Sequence, residues 1–355
     1  MNIFINISHP AHVHFFRYAI AELTDRGHNV IVGARKKEFT LQLLQEYTID
    51  HVLLTRKGKG FWGLFGELCA QQLKLFKLLR KQPVDIMLQI GGIFNAPVGR
   101  LFGVPTLAFS DTENDTIANR ISFNLSRHVL SPSCFDHKRG GSWKNQIHYP
   151  GYHELAYLSP TYQKPLPRLG ANILLRFVGW GAGHDIGEVG LSNAQKIELV
   201  KLFEGHGNIM ISSEGPLPEE IKGLACSFHP ARMHTFMRTC KLVVGESATM
   251  ASEAACLGIP AMFISNTGRG YTTEQDKKYD LIRHYRLDQW PEVIATLNTW
   301  LQTDCFEIWQ QKRRAMLEDK MEVTAWLVDL VENYPDSLMY VNRGRYKRID
   351  AACAE

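Results

Sequence analysis

Short apolar runs recur along the first half of the chain. Each is followed by a stretch in which apolar residues return every three or four positions. NIFINI (2–7), HNVIVGAR (28–35), DHVLLT (50–55), VDIMLQIGG (84–92), PTLAFSD (105–111) and HVLSPS (128–133) read as strands. Residues 12–26 and 37–47 read as helices between them, the first stopped by Gly27. Short apolar strands alternating with helices predict a parallel, doubly wound sheet.

The alternation breaks at HYPGYHELAYLSPTYQKPLPRLG (148–170), a proline- and tyrosine-rich stretch that reads as a linker. It then restarts with ANILLRFVGWGAG (171–183), NIMISSEG (208–215), KLVVGES (241–247) and PAMFIS (260–265). From about residue 290 the pattern is helical, and the tail NRGRYKRIDAACAE is polar and expected to be poorly ordered. The expectation is therefore an α/β protein of two successive open-sheet domains, 1–160 and 166–325. A final helix and tail, 326–355, would return to the first domain. Ligands of open parallel sheets bind beyond the carboxyl ends of the strands, so two such domains facing each other would place a site in the cleft between them.

Composition narrows this picture without redirecting it. The 355 residues are 45% hydrophobic and 21% charged, ordinary for a globular chain of two domains. A net charge of +4 is too weak to argue for nucleic acid, but suits anionic substrates or an anionic membrane surface. Seven scattered cysteines without a CxxC pair argue against a disulfide framework or a zinc site and for a reducing cytosol. The start MNIFINISHP lacks the pattern of a signal peptide, and no stretch reaches the length of a membrane span.

Several stretches carry candidate chemistry. SHPAHVHFF (8–16) places His9, His12 and His14 just past the first strand, where a near-neutral imidazole can act as a general base. A capping or packed histidine is the plainer reading of any one of them. The spacing can chelate, but no nearby carboxylate or cysteine completes a ligand set, so no metal is expected. GESATMASEAACLGIPAMF (245–263) opens a helix on Ser247, Ala248 and Thr249, small residues whose N–H groups can approach an anion. Glu253, further along, can hold a ribose diol. An alanine-rich helix packed on a sheet explains Ala254, Ala255 and Leu257 but not Ser247, Thr249 and Glu253.

FVGWGAGHD (177–185) sets Gly181 and Gly183 after a strand, short of a full GxGxxG. SDTEND (110–115) gathers Asp111, Glu113 and Asp115 at a strand end. It reads equally as an acid/base site or as a solvated loop capping the next helix. KGKGFWGLFGELCAQQLKLFKLLRKQ (57–82) mixes aromatic and basic residues with a single acid, Glu67. It reads as a sheet-packing helix with a basic exposed face, or as an amphipathic helix that lies on an anionic membrane.

Together these stretches resemble the GT-B superfamily of nucleotide-sugar glycosyltransferases and epimerases, over most of residues 1–290. PAHV places His12 at the histidine of the Gly-Gly-His-Val loop of the lipid-II N-acetylglucosaminyltransferases, with Pro10 and Ala11 in place of the glycines. GGIFNAPVGRLFGVPTLAFSDTENDTIANR is similar to that family's GGY…GIP…EQN…TN segment. ESATMASEAACLGIPAM is similar to its SGALTVSEIAAAGLPAL, with Glu253 at the ribose-binding glutamate. The nonhydrolysing UDP-GlcNAc 2-epimerases share the Ser247 to Ala254 pattern, but their His-Gly-Asp motif is absent after LQIGG.

The resemblance implies a metal-independent glycosyltransferase with two Rossmann-like domains and no cofactor. A nucleotide-diphospho-sugar, UDP-linked, would be the donor substrate in the second domain. Glu253 would hold the ribose, and Gly181, Gly183, Ser247, Ala248 and Thr249 the diphosphate, with Arg269 or Lys277 assisting. His12, Asp111 or Glu113 would deprotonate the hydroxyl of a glycan or lipid-linked acceptor in surface polysaccharide synthesis. The setting would be cytoplasmic, with peripheral membrane contact through residues 57–82. A sugar-nucleotide epimerase or hydrolase, and a non-catalytic sugar-nucleotide-binding protein, stand as alternatives.

Overall fold

The computed structural model describes residues 1–58, 60–91, 94–113, 120, 123–164, 166, 168–179 and 190–350. The chain divides into two compact units. One comprises Met1–Tyr157 and Met321–Arg348, the other Leu158–Lys320 with Ile349 and Asp350.

The described residues of the first unit form seven parallel strands: β1 (Asn2–Ile7), β2 (Asn29–Lys36), β3 (Val52–Arg56), β4 (Ile86–Ile90), β5 (Thr106–Phe109), β6 (His128–Pro132) and β7 (Gln146–Tyr149). Their order is β3-β2-β1-β4-β5-β6-β7, so the winding reverses between β1 and β4. That reversal leaves a crevice at the carboxyl ends, because the connections leave on opposite sides. On β1, Ile3, Phe4, Ile5 and Ile7 are fully buried. A central strand covered on both faces has no solvent side, hence the unbroken apolar run. Each such side chain contributes about 1.5–3 kcal/mol by burial.

In the second unit the described residues form β8 (Asn172–Phe177), β9 (Asn208–Ser213), β10 (Cys240–Gly245), β11 (Ala261–Ile264) and β12 (Ile282–Tyr285), in the order β12-β11-β10-β8-β9. All neighbours are again parallel. The winding reverses between β8 and β10. Gly245 ends β10 where the backbones close up, since a Cβ there would meet the Arg176 carbonyl oxygen at 2.0 Å.

Two strands, β7 and β12, were absent from the sequence pattern. Both are edge strands, four residues long and mostly half-buried, so neither forms an apolar run. The 148–170 stretch is therefore not simply a linker. It begins inside β7 and holds a helical turn, Leu155–Leu158.

The tail also differs from expectation. Glu322 N–H donates to the Lys347 carbonyl at 2.9 Å, and Met321 bridges Arg348, so residues up to 348 are tied down. The helix Val323–Glu332 completes the first unit. Trp326 stacks on Tyr149 at 4.6 Å and meets Phe109 at 6.1 Å, while Glu332 pairs with Arg26 and His28.

The helix Gly60–Lys81 buries its stripe unevenly. Leu75 and Leu79 enter a cluster with Phe4, Leu54 and Met87. One turn after another toward its start, the same stripe buries Gln71 and Glu67 instead. The Glu67 carboxylate accepts from Arg35 at 2.7 Å and from the Gly58 N–H at 2.9 Å. Burial alone would raise its pKa, but these donors hold it below the usual range. Trp62, Leu64, Phe65 and Leu73 remain exposed. Among the described residues no helix is long and apolar enough to cross a membrane.

Candidate functional site

The three histidines after β1 have three different surroundings. His9 caps the helix Pro10–Asp25, its Nδ1 accepting the Ala11 N–H at 3.2 Å, and Pro10 occupies the first helical position, where an N–H is dispensable. His14 is buried, its ring 5.4 Å from that of Tyr157 and 5.9 Å from that of Tyr47. His12 is half-buried, and its Nδ1 accepts the Ser8 N–H at 3.4 Å. Burial, then the neighbouring His9 and His153, hold the His12 pKa well below the ordinary imidazole value, with Asp111 opposing.

Asp111 lies just past β5. Its Oδ2 is 3.1 Å from His153 Nδ1, and its Oδ1 accepts the Thr112 hydroxyl at 3.1 Å. Burial would raise the pKa of Asp111, but His153 and Thr112 together hold it below the usual carboxylate value. Charge coupling links Asp111, His153 and His12, so the structure brings together groups from the ends of β1, β5 and β7. Glu113 has a different partner. It is 1% exposed, and its Oε1 accepts the Asp136 N–H at 3.0 Å, which ties the loop after β6. Asp115 lies outside the described residues.

His153 carries no sequence signal, because it sits in what reads as a linker and its partner is 42 positions away. Only the periodic placement of histidine just after a strand, visible once β7 is recognised, could have pointed to it.

In the second unit β10 runs into Glu246 and then Ser247, which caps the helix Ala248–Leu257 by accepting the Met250 N–H at 3.3 Å. Ala248 is half-buried and Thr249 exposed. The first turn of this helix therefore presents N–H groups at the β8/β10 reversal, an arrangement suited to an anion. Glu253 is 6% exposed and meets His234 Nε2 at 2.8 Å. Any ribose contact there would involve a carboxylate already engaged with a histidine.

Arg269 precedes the helix Gly270–Lys277 and donates to the Gly268 carbonyl at 3.0 Å. Gly181 and Gly183 lie outside the described residues. No local pattern points to Glu246, yet this buried carboxylate accepts the Val178 N–H at 3.0 Å and the Leu191 N–H at 2.6 Å. His234 was equally silent, its partner being 19 positions on and in another helix.

The fold defined by these two units is that of the GT-B class, and comparison with solved structures agrees. MurG of Acinetobacter baumannii superposes with a TM-score of 0.58 at 15% identity, covering 93% of this chain and 99% of that one. The UDP-GlcNAc 2-epimerase of Neisseria meningitidis, bound to UDP-GlcNAc, gives 0.65 at 11% identity, covering 94% and 100%. The Streptomyces sp. SF2575 glycosyltransferase SsfS6, complexed with thymidine diphosphate, gives 0.60 at 13% identity, covering 94% and 99%. Residues 1–174 match the model of a family described as a protein of unknown function, DUF354. No curated protein matches the chain in sequence.

Proposed function

We propose that this chain is a glycosyltransferase that moves a sugar from a nucleoside-diphosphate sugar, UDP-linked, to a glycan or lipid-linked acceptor in surface polysaccharide synthesis. The observation that carries this reading is the Ser247-capped helix at the β8/β10 reversal. Its first turn, in which Thr249 is exposed, follows a glycine-ended strand and has a buried carboxylate, Glu253, one to two turns on. Backbone N–H groups of Ala248 and Thr249 would hold the diphosphate, and the helix dipole would stabilise charge on the departing nucleotide without a metal. Arg269 would assist from its half-buried position, and Gly181 and Gly183 belong to the same reading. The resemblance assigns acceptor deprotonation to His12, Asp111 or Glu113.

Membrane contact would seat the acceptor side. Trp62 is 80% exposed, and Phe65 and Leu73 more than half. Lys57, Lys74, Lys77 and Arg80 accompany them, while the one acid of the helix, Glu67, is buried against Arg35. Exposed aromatics among uncompensated cations suit an anionic bilayer surface.

The test is thermal shift with UDP, GDP, CDP, dTDP and ADP, on the wild type and Glu253→Gln. A ligand that binds only the folded state raises its apparent stability. A shift selective for one base and reduced in the variant is the expected result, and no shift with any of the five rejects the reading. A sugar-nucleotide 2-epimerase or hydrolase is the second reading, favoured by the higher TM-score of the epimerase, 0.65 against 0.58 for MurG. Conversion of the nucleotide sugar without an acceptor would select it.

A further inference from the structure

The two imidazoles coupled to Asp111 are held in opposite protonation patterns, and this separates their chemistry. A neutral imidazole donates from one nitrogen and accepts at the other, and the partner of one nitrogen fixes the role of the second. His12 Nδ1 accepts the Ser8 N–H at 3.4 Å, so its proton sits on Nε2, and that nitrogen can only donate. His153 is the reverse. Its Nδ1 faces the Asp111 carboxylate at 3.1 Å, and an ionised carboxylate only accepts, so Nδ1 carries the proton. In the neutral ring His153 Nε2 is then a lone pair. It is buried, on a residue only 7% exposed, and has no hydrogen-bond partner.

An unsatisfied buried acceptor is costly and is uncommon without a reason. Here the ring is fixed on its other edge by Asp111 and on its face by Phe15, whose ring centre is 4.5 Å away. The other groups near Asp111 are poor bases. Tyr149 is fully buried and pushed far above its ordinary pKa by burial and by Asp111, so it stays protonated. His12 has its Nδ1 occupied and resists a second proton. Glu113 spends an oxygen on the Asp136 N–H.

We propose that His153, rather than His12, is the general base of this site, with Asp111 as its positioning residue and His12 as a neutral hydrogen-bond donor. The proposal rests on the transferase reading above. In the step, the acceptor hydroxyl oxygen forms a bond to the anomeric carbon of the donor sugar. The bond from that carbon to the diphosphate oxygen breaks, and its electron pair leaves with the nucleoside diphosphate. The hydroxyl proton passes to His153 Nε2, and the Asp111 carboxylate stabilises the imidazolium that results.

Two-bond ¹H–¹⁵N correlation spectra of histidine-labelled protein read the tautomers directly, with His153→Gln and His12→Gln giving the assignments. At pH 7.5 the expected result is His153 as the Nδ1–H form and His12 as the Nε2–H form, and Asp111→Asn abolishes the His153 preference. His153 as the Nε2–H form, His153 doubly protonated at that pH, or a pattern unchanged by Asp111→Asn overturns the assignment. Turnover is then measured with the UDP-, GDP-, CDP-, dTDP- or ADP-sugar whose diphosphate stabilises the protein. His153→Gln lowers kcat about 100-fold or more with donor KM unchanged, and Asp111→Asn moves the pH limb of kcat. A His153→Gln variant within threefold of the wild-type rate refutes the base role alone. Absence of stabilisation by all five diphosphates instead refutes the transferase reading, and the base role with it.

Discussion

The carboxyl ends of the two sheets are furnished differently. In the first unit they carry imidazoles around one ionised carboxylate, and the rings of His9 and His12 are held neutral by burial and nearby positive charge. In the second unit the acidic groups are consumed by structure: Glu246 gathers two backbone N–H groups and Glu253 a histidine. What is left there is the first turn of a capped helix. On the reading proposed above, proton movement and anion holding would fall on different units, because each needs a different electrostatic environment. A base must keep a free lone pair, whereas an anion site needs donors with no competing carboxylate oxygen free to take them.

The largest expected effect comes from removing the carboxylate that organises the second unit. Glu246→Leu deprives two backbone N–H groups of a charged acceptor, at about 1.5–3 kcal/mol each. Urea unfolding of the variant reads a total loss of about 3–6 kcal/mol, and a loss below about 1 kcal/mol would show that Glu246 is not the organiser. Next, His234→Ala takes a donor from the buried Glu253 and costs about 1–3 kcal/mol by the same measurement. If nucleoside diphosphate binding survives that variant unchanged, the His234 contact does not set a ribose contact of Glu253.

A smaller effect separates the units by pH. The folded-state pKa of His12 lies below the unfolded value of 6.5. The unfolded chain therefore binds a proton that the folded one refuses. Stability from this ring is complete above pH 6.5 and falls as pH drops below it, by at most about 1.4 kcal/mol per pH unit. Asp111, also held low, contributes stability that is present above the ordinary carboxylate range and fades only as pH falls through it. Chemical denaturation of wild type and His12→Gln between pH 7.5 and 5 checks this, and parallel curves would contradict it. The smallest effect on stability is at the surface. Trp62→Ser with Phe65→Ser changes unfolding free energy by under about 0.5 kcal/mol per site, yet reduces co-sedimentation with anionic vesicles if that face meets a bilayer.

Much of the fold was legible because central strands buried on both faces write themselves as apolar runs. β1 and β10 are examples, and the glycine and serine that bound the helix Ala248–Leu257 stand out equally. β7 and β12 were not legible, since an edge strand with half-buried side chains has no such run. The site divides along the same line. Residues tied to a local feature, such as Ser247 as a cap, could be found from spacing. His153, His234 and Glu246 take their roles from partners 42, 19 and 55 or more positions away, and no local pattern encodes that.

The helix Val323–Glu332 has a further consequence for how the protein comes into being. It covers Phe109 and Tyr149 of the first unit, yet it is made only after the 163 residues of Leu158–Lys320. At about 5–20 residues per second, the nascent first unit waits on the order of ten to thirty seconds for the piece that closes it. During that interval an aromatic surface stands open to chaperones and to neighbouring chains. The second unit, nearly all of it synthesised as the one stretch Leu158–Lys320, can fold first even though it comes later in the sequence.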